Sequence, residues 1–504
     1  MAPADHVIIG AGAAGCVLAR RLIDAGRSVC LIEAGPLRLR HALVDPPGGL
    51  TALWGSALDW ALPTVPQPGL AGRSITLNQG RIVGGSSAIN AMMHVSCNPE
   101  DYRNLTLTSG GAWTEQDIAN AFARMEDYLD GPAHGRSQGG LLHVRDCPDP
   151  TAFSPEFRAA ATALGHAGEG FDYNGPVQMN GAGPLQFNIG PDGQRHSAFN
   201  AYLQPVLDSP LLTLMPGTTA RRLRFDGPRA VAVEATGPDG AAIEIGFTRD
   251  VILALGALQT PALLLRSGLG PAGALRAAGM PVVADLPAVG QNLQDHLQLP
   301  VIFRLTRDLP NPSLLTGNVL FVNLNGHGAP GTPDLQLNYT PAAPAPLMRL
   351  LPPLGGPVMI FLPILIQPKS RGAVSMRHDG SIALDPRYLS DPSDLTLLTK
   401  AVELCRSLAR TQPLATLAGD ELAPGATPTA DHIRGAASTL WHPVGTAALG
   451  TDPTDSVTGP DLAVHGVEGL RICDASLIPR ASTGNTHVPT LITAEVGATK
   501  LLAA

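Results

Sequence analysis

The chain has 504 residues and a formal net charge of −8 at pH 7, and its sequence pI is about 5.9. A chain of this length is too long to fold around one simple hydrophobic core, so we predict two domains, or one large domain with a substantial insertion. The acidic balance, with no long basic cluster, argues against a nucleic-acid partner, because phosphates require a basic face.

The first predicted element is a short buried strand over residues 6–9, which begins too close to the N-terminus to leave room for a secretion signal. A glycine turn follows, and an apolar periodicity predicts a helix over residues 13–25 that closes at Gly26. The next strand, SVCLIEAG at residues 28–35, carries Glu33 near its end. This order of elements predicts a dinucleotide-binding βαβ unit.

The turn has three glycines, Gly10, Gly12 and Gly15, at the spacing of a dinucleotide-binding fingerprint. Gly10 permits the tight bend, Gly12 lets backbone N–H groups approach a pyrophosphate, and Gly15 lets the helix pack closely on the strand. The helix N-terminus adds partial positive charge for the phosphates. Glu33 stands where a carboxylate accepts from ribose hydroxyls and disfavours NADP, and these residues by themselves leave NAD and FAD open.

Two later stretches are also rich in glycine. GRIVGGSSAIN at residues 80–90 predicts a loop whose backbone can lie against a flat ring or a phosphate. GALQTPALLLRSGLG at residues 256–270 predicts a strand end, a turn and a helix, with Thr260 and Pro261 at the start of the helix.

Together with the first turn, these stretches resemble the glucose-methanol-choline (GMC) family of FAD-dependent oxidoreductases. The resemblance continues through VGQNLQDH at residues 289–296, WHPVGTAALG at 441–450 and VEGLRICDASLIPRASTGNTHVPTLITAE at 467–495. It implies an α/β fold in which a discontinuous, Rossmann-like FAD-binding domain carries an α+β substrate domain built on an antiparallel sheet. TAALG lacks the Cys and the basic residue often found in the family after HPVGT, which weakens any transfer of substrate preference.

The positions of these motifs divide the chain. We predict an FAD-binding domain over residues 1–150, 190–300 and 436–504, and a substrate-binding domain over residues 151–189 and 301–435. Alternating apolar runs in the second domain predict an antiparallel sheet that covers the flavin face, and the stretch LTLLTKAVELCRSL predicts a helix behind this sheet.

By the resemblance the cofactor is FAD, with Glu33 on the adenosine ribose, Ala220 against adenine and Asp474 near the ribityl and pyrophosphate region. Some members attach flavin covalently through a histidine, but Ile89 occupies that position here, so noncovalent FAD is expected. The predicted cofactor-binding residues are Gly10, Gly12, Ala13, Ala14, Gly15, Glu33, Ala34, Arg81, Gly84, Gly85, Ser86, Asn90, Ala220, Asp474, Ala475, Asn485 and Thr486.

Alcohol oxidation requires a base for the hydroxyl proton and a hydride acceptor. Histidine suits the first task because its ordinary pKa is roughly 6.5. The resemblance assigns the base to His442 and the partner that holds the substrate oxygen to Asn485, with His487 as a rival for the second role. His94 either touches flavin or substrate or is a structural histidine, and the structural reading is favoured.

The substrate end of the molecule is less defined by sequence. Residues 340–366 carry few charges, which predicts an apolar pocket and an aryl or aliphatic primary alcohol as substrate. Residues 41–75, rich in Pro, Gly and Leu, are either an access lid or an ordinary surface excursion. Either oxygen or a quinone can reoxidise the flavin. The alternatives to an alcohol oxidase or dehydrogenase are an FAD-containing hydroxynitrile lyase and a flavin-binding protein without catalysis.

The six cysteines have neither CxxC nor zinc-ligand spacing, so we expect buried thiols, no metal and a reducing, cytoplasmic location. The most apolar interval, LGGPVMIFLPILI at residues 354–366, is interrupted by two prolines and is shorter than the roughly 20 residues of a membrane helix. We read it as a buried strand that contributes to the pocket wall and expect no integral membrane segment.

Overall fold

The computed structural model describes residues 3–133, 135–175, 178–324, 331–348 and 353–503. Over these residues the helices are α1 (Ala13–Asp24), α2 (Leu50–Leu53), α3 (Pro99–Thr108), α4 (Glu115–Met125), α5 (Pro155–Ala163), α6 (Gly256–Arg266), α7 (Ala272–Ala277), α8 (Ala345–Met348), α9 (Pro392–Arg410), α10 (Thr429–Ala436) and α11 (His487–Ala503).

The strands of the same residues are β1 (Ala4–Ile9), β2 (Val29–Glu33), β3 (Leu62–Pro63), β4 (Thr76–Leu77), β5 (Glu126–Tyr128), β6 (Leu142–Asp146), β7 (Gly181–Pro184), β8 (Gln186–Phe187), β9 (Leu212–Pro216), β10 (Thr219–Asp226), β11 (Arg229–Thr236), β12 (Ala242–Leu253), β13 (Leu269–Gly270), β14 (Ala284–Asp285), β15 (Leu297–Gln298), β16 (Val301–Leu305), β17 (Asn318–Val322), β18 (Leu335–Thr340), β19 (Val358–Leu365), β20 (Ala373–Met376), β21 (Ile382–Asp385), β22 (Ala418–Ala423), β23 (Ser438–Thr439) and β24 (Leu470–Ile472).

A parallel sheet in the order β24-β12-β1-β2-β9 forms the centre of the first layer. β2, residues 6–9 of β1 and the C-terminal end of β12 are buried, as expected where helices cover both faces of a parallel sheet, whereas β9 at the edge is only partly buried. The long β12 continues beyond the parallel region, where β11 and β10 pair with it in antiparallel order. β1, α1 and the parallel β2 thus form the predicted βαβ unit, which is consistent with the Rossmann-like arrangement expected from the sequence.

An antiparallel sheet in the order β22-β16-β19-β18-β17-β7 forms the second layer, and β15 pairs with both β19 and β23. The predicted helix behind it is α9, which packs its apolar face on β19. These findings confirm the expected α/β class with an antiparallel sheet. The domain boundaries stay a prediction, and β15 and β23 of the antiparallel sheet lie a few residues inside the predicted FAD-binding segments.

The terminal helix α11 is held by a buried carboxylate. Glu495, which is 0% exposed, accepts from Arg21 of α1 at 2.7 Å and from Arg124 of α4 at 3.1 Å. Three charge-assisted bonds, two from Arg21 and one from Arg124, offset the cost of burying this carboxylate. They fix α11 against α1, and this contact also fixes the position of the N-terminal residues of α11 in the interior.

One prediction about α6 is wrong. The helix begins at Gly256, so Thr260 and Pro261 lie inside it rather than at its start. Proline in a helix leaves the carbonyl four residues earlier without its usual N–H partner. Here that carbonyl belongs to Ala257, and the hydroxyl of Thr446 donates to it at 2.6 Å. The helix tolerates Pro261 because another segment supplies the missing donor.

Other local predictions agree with the structure. Helix α1 ends at Asp24 with Gly26 in the left-handed region, and residues 354–366 contain the strand β19. All six cysteines are free thiols, and five of them are buried. Across the described residues, every helix falls short of the length and hydropathy that a membrane span requires.

Candidate functional site

A cavity of about 610 Å³ runs from the glycine turn after β1 to the N-terminus of α11, between the two sheets. Most of the residues predicted from sequence line it, and these are Gly10, Gly12, Ala13, Ala14, Glu33, Ala34, Gly85, Ser86, Asn90, Ala220, His442, Asp474, Ala475, Asn485 and Thr486. The structure therefore brings together, in one elongated cavity, residues that lie more than 470 positions apart in the sequence.

Two glycine loops meet at the nucleotide end of the cavity. A Cβ on Gly85 would lie 2.6 Å from the Cα of Gly12, so only glycine allows this approach. A Cβ on Gly12 would instead meet nothing of the chain nearer than 3.9 Å, because it would point into the cavity. No side chain caps the N-terminus of α1, whose first residues line the cavity. Free N–H groups beside open space fit a pyrophosphate.

Three predicted cofactor residues lie behind the cavity wall. A Cβ on Gly15 would meet the carbonyl oxygen of Gly10 at 1.9 Å, so this glycine serves the packing of α1 on the turn. Gly84 donates its N–H to Ala11 and holds the two loops together. The guanidinium of Arg81 lies over the Trp60 ring, 5.1 Å from its centroid. None of the three lines the cavity.

Glu33 ends β2 with its carboxylate buried at the cavity wall. Its oxygens accept from the backbone N–H groups of Ala11 and Gly35 at 3.0 and 2.7 Å. Burial raises the pKa of the Glu33 carboxyl to about 7, and these two N–H groups oppose the shift. A ligand hydroxyl that donates to Glu33 would further favour the charged form, as a ribose hydroxyl does in dinucleotide sites.

Asp474 joins three segments beside the cavity. Its carboxylate accepts from the N–H of Gly256, the hydroxyl of Thr260 and the N–H of Ser476, all within 2.8 Å. Burial raises the pKa of this carboxyl above its usual value, and the hydrogen bonds counteract the shift. Asp474 therefore fixes the start of α6 where the cavity passes it.

The turn that carries His442 is clamped by Asp295. Its carboxylate accepts from the backbone N–H of His442 at 2.7 Å and from the hydroxyls of Thr439 and Tyr388. Trp441 stands in the left-handed region, with φ of 61°, which turns the next side chain into the cavity. The position of the His442 ring is thus fixed by the hydrogen bonds that hold its backbone turn.

The His442 imidazole lies between two partners. Its Nδ1 is 3.0 Å from Nδ1 of His296, and its Nε2 is 3.4 Å from Nδ2 of Asn485. Burial, together with the nearby imidazoles of His296 and His487, holds the pKa of His442 well below its usual range. The ring is therefore neutral near pH 7, and one of its nitrogens carries no hydrogen.

A row of side-chain amides favours one of these two nitrogens as the acceptor. Nδ2 of Asn338 donates to the Met93 sulfur at 3.8 Å, and a thioether can accept but not donate. Asn338 Oδ1 therefore faces Gln336, whose Nε2 donates to it at 3.1 Å and also to Oδ1 of Asn485 at 3.3 Å. Asn485 is left with Nδ2 toward His442, so Nε2 of His442 is the acceptor and its hydrogen is on Nδ1.

The remaining wall is aromatic and aliphatic. Trp54 and Trp441 line the cavity with ring centroids 4.6 Å apart. Residues 41–75 contribute Leu50, Trp54 and Trp60 to this wall, and their role as a lid stays a prediction. Of residues 340–366, where 349–352 lie outside the described residues, only Leu347 and Leu362 line the cavity.

The two uncertain histidines occupy different places. His94 is buried behind the wall, with Nε2 3.2 Å from Glu126 and Nδ1 3.1 Å from Asn188, which is the structural arrangement that was favoured. His487 lines the cavity at the first position of α11. Burial, with the nearby His94 and Arg195, lowers the pKa of His487 to about 3, so this ring is neutral.

Sequence reasoning missed His296, Gln336 and Asn338. His296 ends the stretch VGQNLQDH, which carries part of the family resemblance but no role predicted from sequence. Gln336 and Asn338 alternate with leucines in β18, and all six residues of the strand are buried. An alternating polar face that is nevertheless buried indicates that this face meets a polar site, but the sequence shows only the alternation and not the burial.

Comparison with known proteins gives one family. The family model of GMC oxidoreductases matches in two parts, over residues 4–298 and 368–494. A protein of Mycobacterium bovis described as an uncharacterised GMC-type oxidoreductase is 33% identical, over 98% of this chain and 98% of that protein. An alcohol dehydrogenase (acceptor) from Pseudomonas putida is also 33% identical, over 97% of this chain and 94% of that protein.

Solved structures show the same similarity. The crystal structure of pyridoxine 4-oxidase from Mesorbium loti matches with a TM-score of 0.90 and 30% sequence identity. The match covers 99% of each chain.

Proposed function

The chain belongs to the GMC oxidoreductase family, whose relatives act on CH–OH groups, and on this premise we propose that it oxidises a primary aryl or aliphatic alcohol to the aldehyde. FAD is the proposed cofactor and His442 the proposed base. The observation that carries the proposal is the position of His442, a buried imidazole of lowered pKa that lines the cavity with its Nε2 3.4 Å from Nδ2 of Asn485.

The residues present fit FAD. The open space at Gly12, the free N–H groups of α1 and the carboxylate of Glu33 suit a pyrophosphate and a ribose. When bound, FAD supplies the acceptor for the hydride that leaves the alcohol carbon. Ile89 lines the cavity where a histidine would be needed for a covalent link, so we propose noncovalent binding.

Side chains of the protein accept the hydroxyl proton of the alcohol and stabilise its oxygen. Nε2 of His442 accepts the hydroxyl proton of the alcohol, which leaves a cation that the buried ring shares with His296 through their 3.0 Å contact. Nδ2 of Asn485 donates to the alcohol oxygen and stabilises its developing negative charge. Because both side chains are held by buried partners, the substrate oxygen meets them without rearrangement.

The terminal helix adds an electrostatic contribution. Asn485, Thr486 and His487 line the cavity at the N-terminal end of α11, whose axis starts there. The partial positive charge of a helix N-terminus favours an anion in front of it. We propose that this end of α11 stabilises negative charge on the reduced cofactor. Pro489 is the third residue of α11 and lies in its first turn, where backbone N–H groups lack a partner within the helix.

An anaerobic alcohol screen tests the proposal. The purified yellow protein is mixed without oxygen with benzyl alcohol and medium-chain primary alcohols, and the flavin absorbance near 450 nm is followed. We expect bleaching and formation of the aldehyde. A hydroxynitrile lyase would cleave hydroxynitriles and show no bleaching by alcohols, and a colourless protein that cannot take up FAD would overturn the cofactor assignment.

Two finer points belong to the same proposal. The flavin is reoxidised by oxygen or by a quinone, and peroxide release in air against dye reduction under nitrogen separates the two. We also propose a cytoplasmic location, supported by the six free thiols, which a reducing compartment preserves. Cell fractionation tests this location.

A further inference from the structure

We propose that Asn338 forms a polar subsite, so that the substrate is an alcohol carrying a second, neutral hydrogen-bond acceptor on an apolar body. The inference rests on the proposed function, because the molecule in the cavity is taken to be an alcohol. It adds a recognition group to the apolar pocket expected from the sequence.

The donor of this subsite lacks a strong partner. Asn338 is 2% exposed and lines the cavity from β18. Its Oδ1 is used by Gln336, and among the described residues its Nδ2 has one partner, the Met93 sulfur at 3.8 Å. A primary amide nitrogen carries two hydrogens, and a thioether is a weak acceptor. At least one N–H of Asn338 is therefore available to a ligand.

Neighbouring polar groups are already paired inside the protein. The hydroxyl of Thr316 donates to the carbonyl of Tyr339 at 2.7 Å, and Nε2 of Gln298 donates to the carbonyl of Thr439 at 3.1 Å. Both residues line the same cavity. Of these three side chains, Asn338 is the one whose donor meets no oxygen acceptor among the described residues.

The surroundings decide the class of acceptor. The charged side chains that line the cavity are Glu33, Arg221, Arg266 and Asp474, all in segments of the nucleotide end. The wall around Asn338 carries Leu315, Leu362 and Leu440 instead. A carboxylate buried there would lack a counter-charge, which is costly. A ring nitrogen, a carbonyl or an ether on an aromatic or aliphatic body fits this wall.

The gain is selectivity. A buried donor that meets no acceptor in the complex keeps its desolvation cost, whereas an acceptor removes that cost. Sites that hydrogen-bond a substrate group therefore reject analogues that lack the group more strongly than apolar pockets reject a missing methylene. Asn338 is thus expected to distinguish two alcohols of the same shape that differ only in one acceptor atom.

Benzyl alcohol and the three isomeric pyridylmethanols supply such a set, because each pyridylmethanol replaces one ring CH by nitrogen. Binding of each compound to the FAD-loaded protein is measured by calorimetry, and kcat/KM is measured in parallel. We expect one pyridylmethanol to bind roughly tenfold or more tightly than benzyl alcohol, which corresponds to one neutral hydrogen bond.

Two variants test whether Asn338 causes the preference. Asn338→Leu replaces the amide with an apolar group of similar size, and Asn338→Ala replaces it with a smaller one, so both variants remove the N–H donor together with the acceptor for Gln336. We expect each to bring the binding ratio of that pyridylmethanol to benzyl alcohol close to one. Thr316→Val is the matched control, and it should keep the ratio because the Thr316 hydroxyl points to a protein carbonyl.

The outcomes separate this inference from the proposed function. A wild-type ratio near one for all three isomers, or an unchanged ratio in Asn338→Leu, overturns the subsite. If the pyridylmethanol binds preferentially and Asn338→Leu loses the preference, the subsite stands, even where no alcohol bleaches the flavin. That last result would contradict only the oxidation chemistry.

Discussion

The two ends of the cavity are built by different means. At the nucleotide end, backbone groups of two glycine loops form the surface, and Gly12 contributes open space rather than a side chain. At the substrate end, side chains from distant segments form the surface, and the contacting pair Gln336 and Asn485 are 149 residues apart. The first end is therefore sensitive to added atoms, and the second to lost or reversed hydrogen-bonding groups.

This difference predicts separable failures. We call the two glycine loops of the nucleotide end, around Gly12 and Gly85, the glycine cradle. A substitution in this cradle should abolish cofactor binding and leave the fold intact. A substitution among the side chains of the substrate end should keep the cofactor bound and abolish turnover. The hydrogen bond from Thr446 to the Ala257 carbonyl, which joins the two ends, should affect stability more than it affects cofactor binding or turnover.

The largest effect is expected from Gly12→Val. The added side chain would enter the space where the pyrophosphate is proposed to lie, because the chain itself has no atom within 3.9 Å of that position. The purified variant should fold and contain no FAD by absorbance. Gly246→Val on β12 is the control, since a Cβ there meets nothing within 4 Å and the site is remote from the cavity. A Gly12→Val protein with a full complement of FAD would contradict the cradle.

His442→Ala should keep FAD and reduce kcat/KM by about 10²–10⁴-fold, the range typical for loss of a general base. Stopped-flow reduction of the flavin by benzyl alcohol measures the effect on the chemical step. His432→Ala provides the comparison, because His432 bonds the Pro300 carbonyl away from the cavity. Turnover close to wild type in His442→Ala would remove the base assignment, whatever the fold.

A fall in pH should lower the stability of the protein through His296, the buried partner of His442. Burial lowers the pKa of His296 to about 4, below the roughly 6.5 of an unfolded chain. Between these values the unfolded state binds a proton that the folded state does not, so stability falls as pH drops below 6.5. This histidine should remove about 2 kcal/mol of unfolding free energy between pH 7 and pH 5.

His296→Gln tests that contribution, because glutamine does not titrate. Urea unfolding at pH 7 and at pH 5 should show a pH-dependent loss that is smaller in the variant than in the wild type by this amount. The same loss in both proteins would mean that His296 is protonated in the folded state at pH 5.

The smallest effect concerns the contact between the two ends. Thr446→Val leaves the Ala257 carbonyl without a donor, since Pro261 has no N–H, and should cost about 1 kcal/mol of stability. Adding Pro261→Ala restores an N–H within α6 and should recover part of the loss. Melting temperatures of the two single variants and the double variant measure the coupling, and purely additive shifts would contradict it.

Much of the nucleotide end could be predicted from sequence because its determinants are local. A strand, a turn and a helix succeed one another within residues 4–24, so the spacing of Gly10, Gly12 and Gly15 fixes their places in the turn. Even there, sequence did not distinguish glycines that face the cavity from Gly15 and Gly84, which pack behind it. That distinction depends on which loop approaches from elsewhere in the chain.

The substrate end was predicted only in part. His442 and Asn485 were identified by resemblance, and both line the cavity. The apolar composition of residues 340–366 pointed to an apolar pocket, yet polar groups reach the wall from β15 and β18. Composition of one segment cannot report what neighbouring strands contribute, because the sheet brings distant strands side by side.

The sequence by itself determined the βαβ unit and its glycine turn, because periodicity and motif spacing act over a few residues, and it identified the candidate base through the resemblance. Only the tertiary structure decided the hydrogen-bonding direction at the site. That direction passes from Met93 through Asn338 and Gln336 to Asn485, and each step joins segments that meet only after folding. A hydrogen bond needs its two atoms within about 3.5 Å, and no local pattern specifies that distance between remote residues.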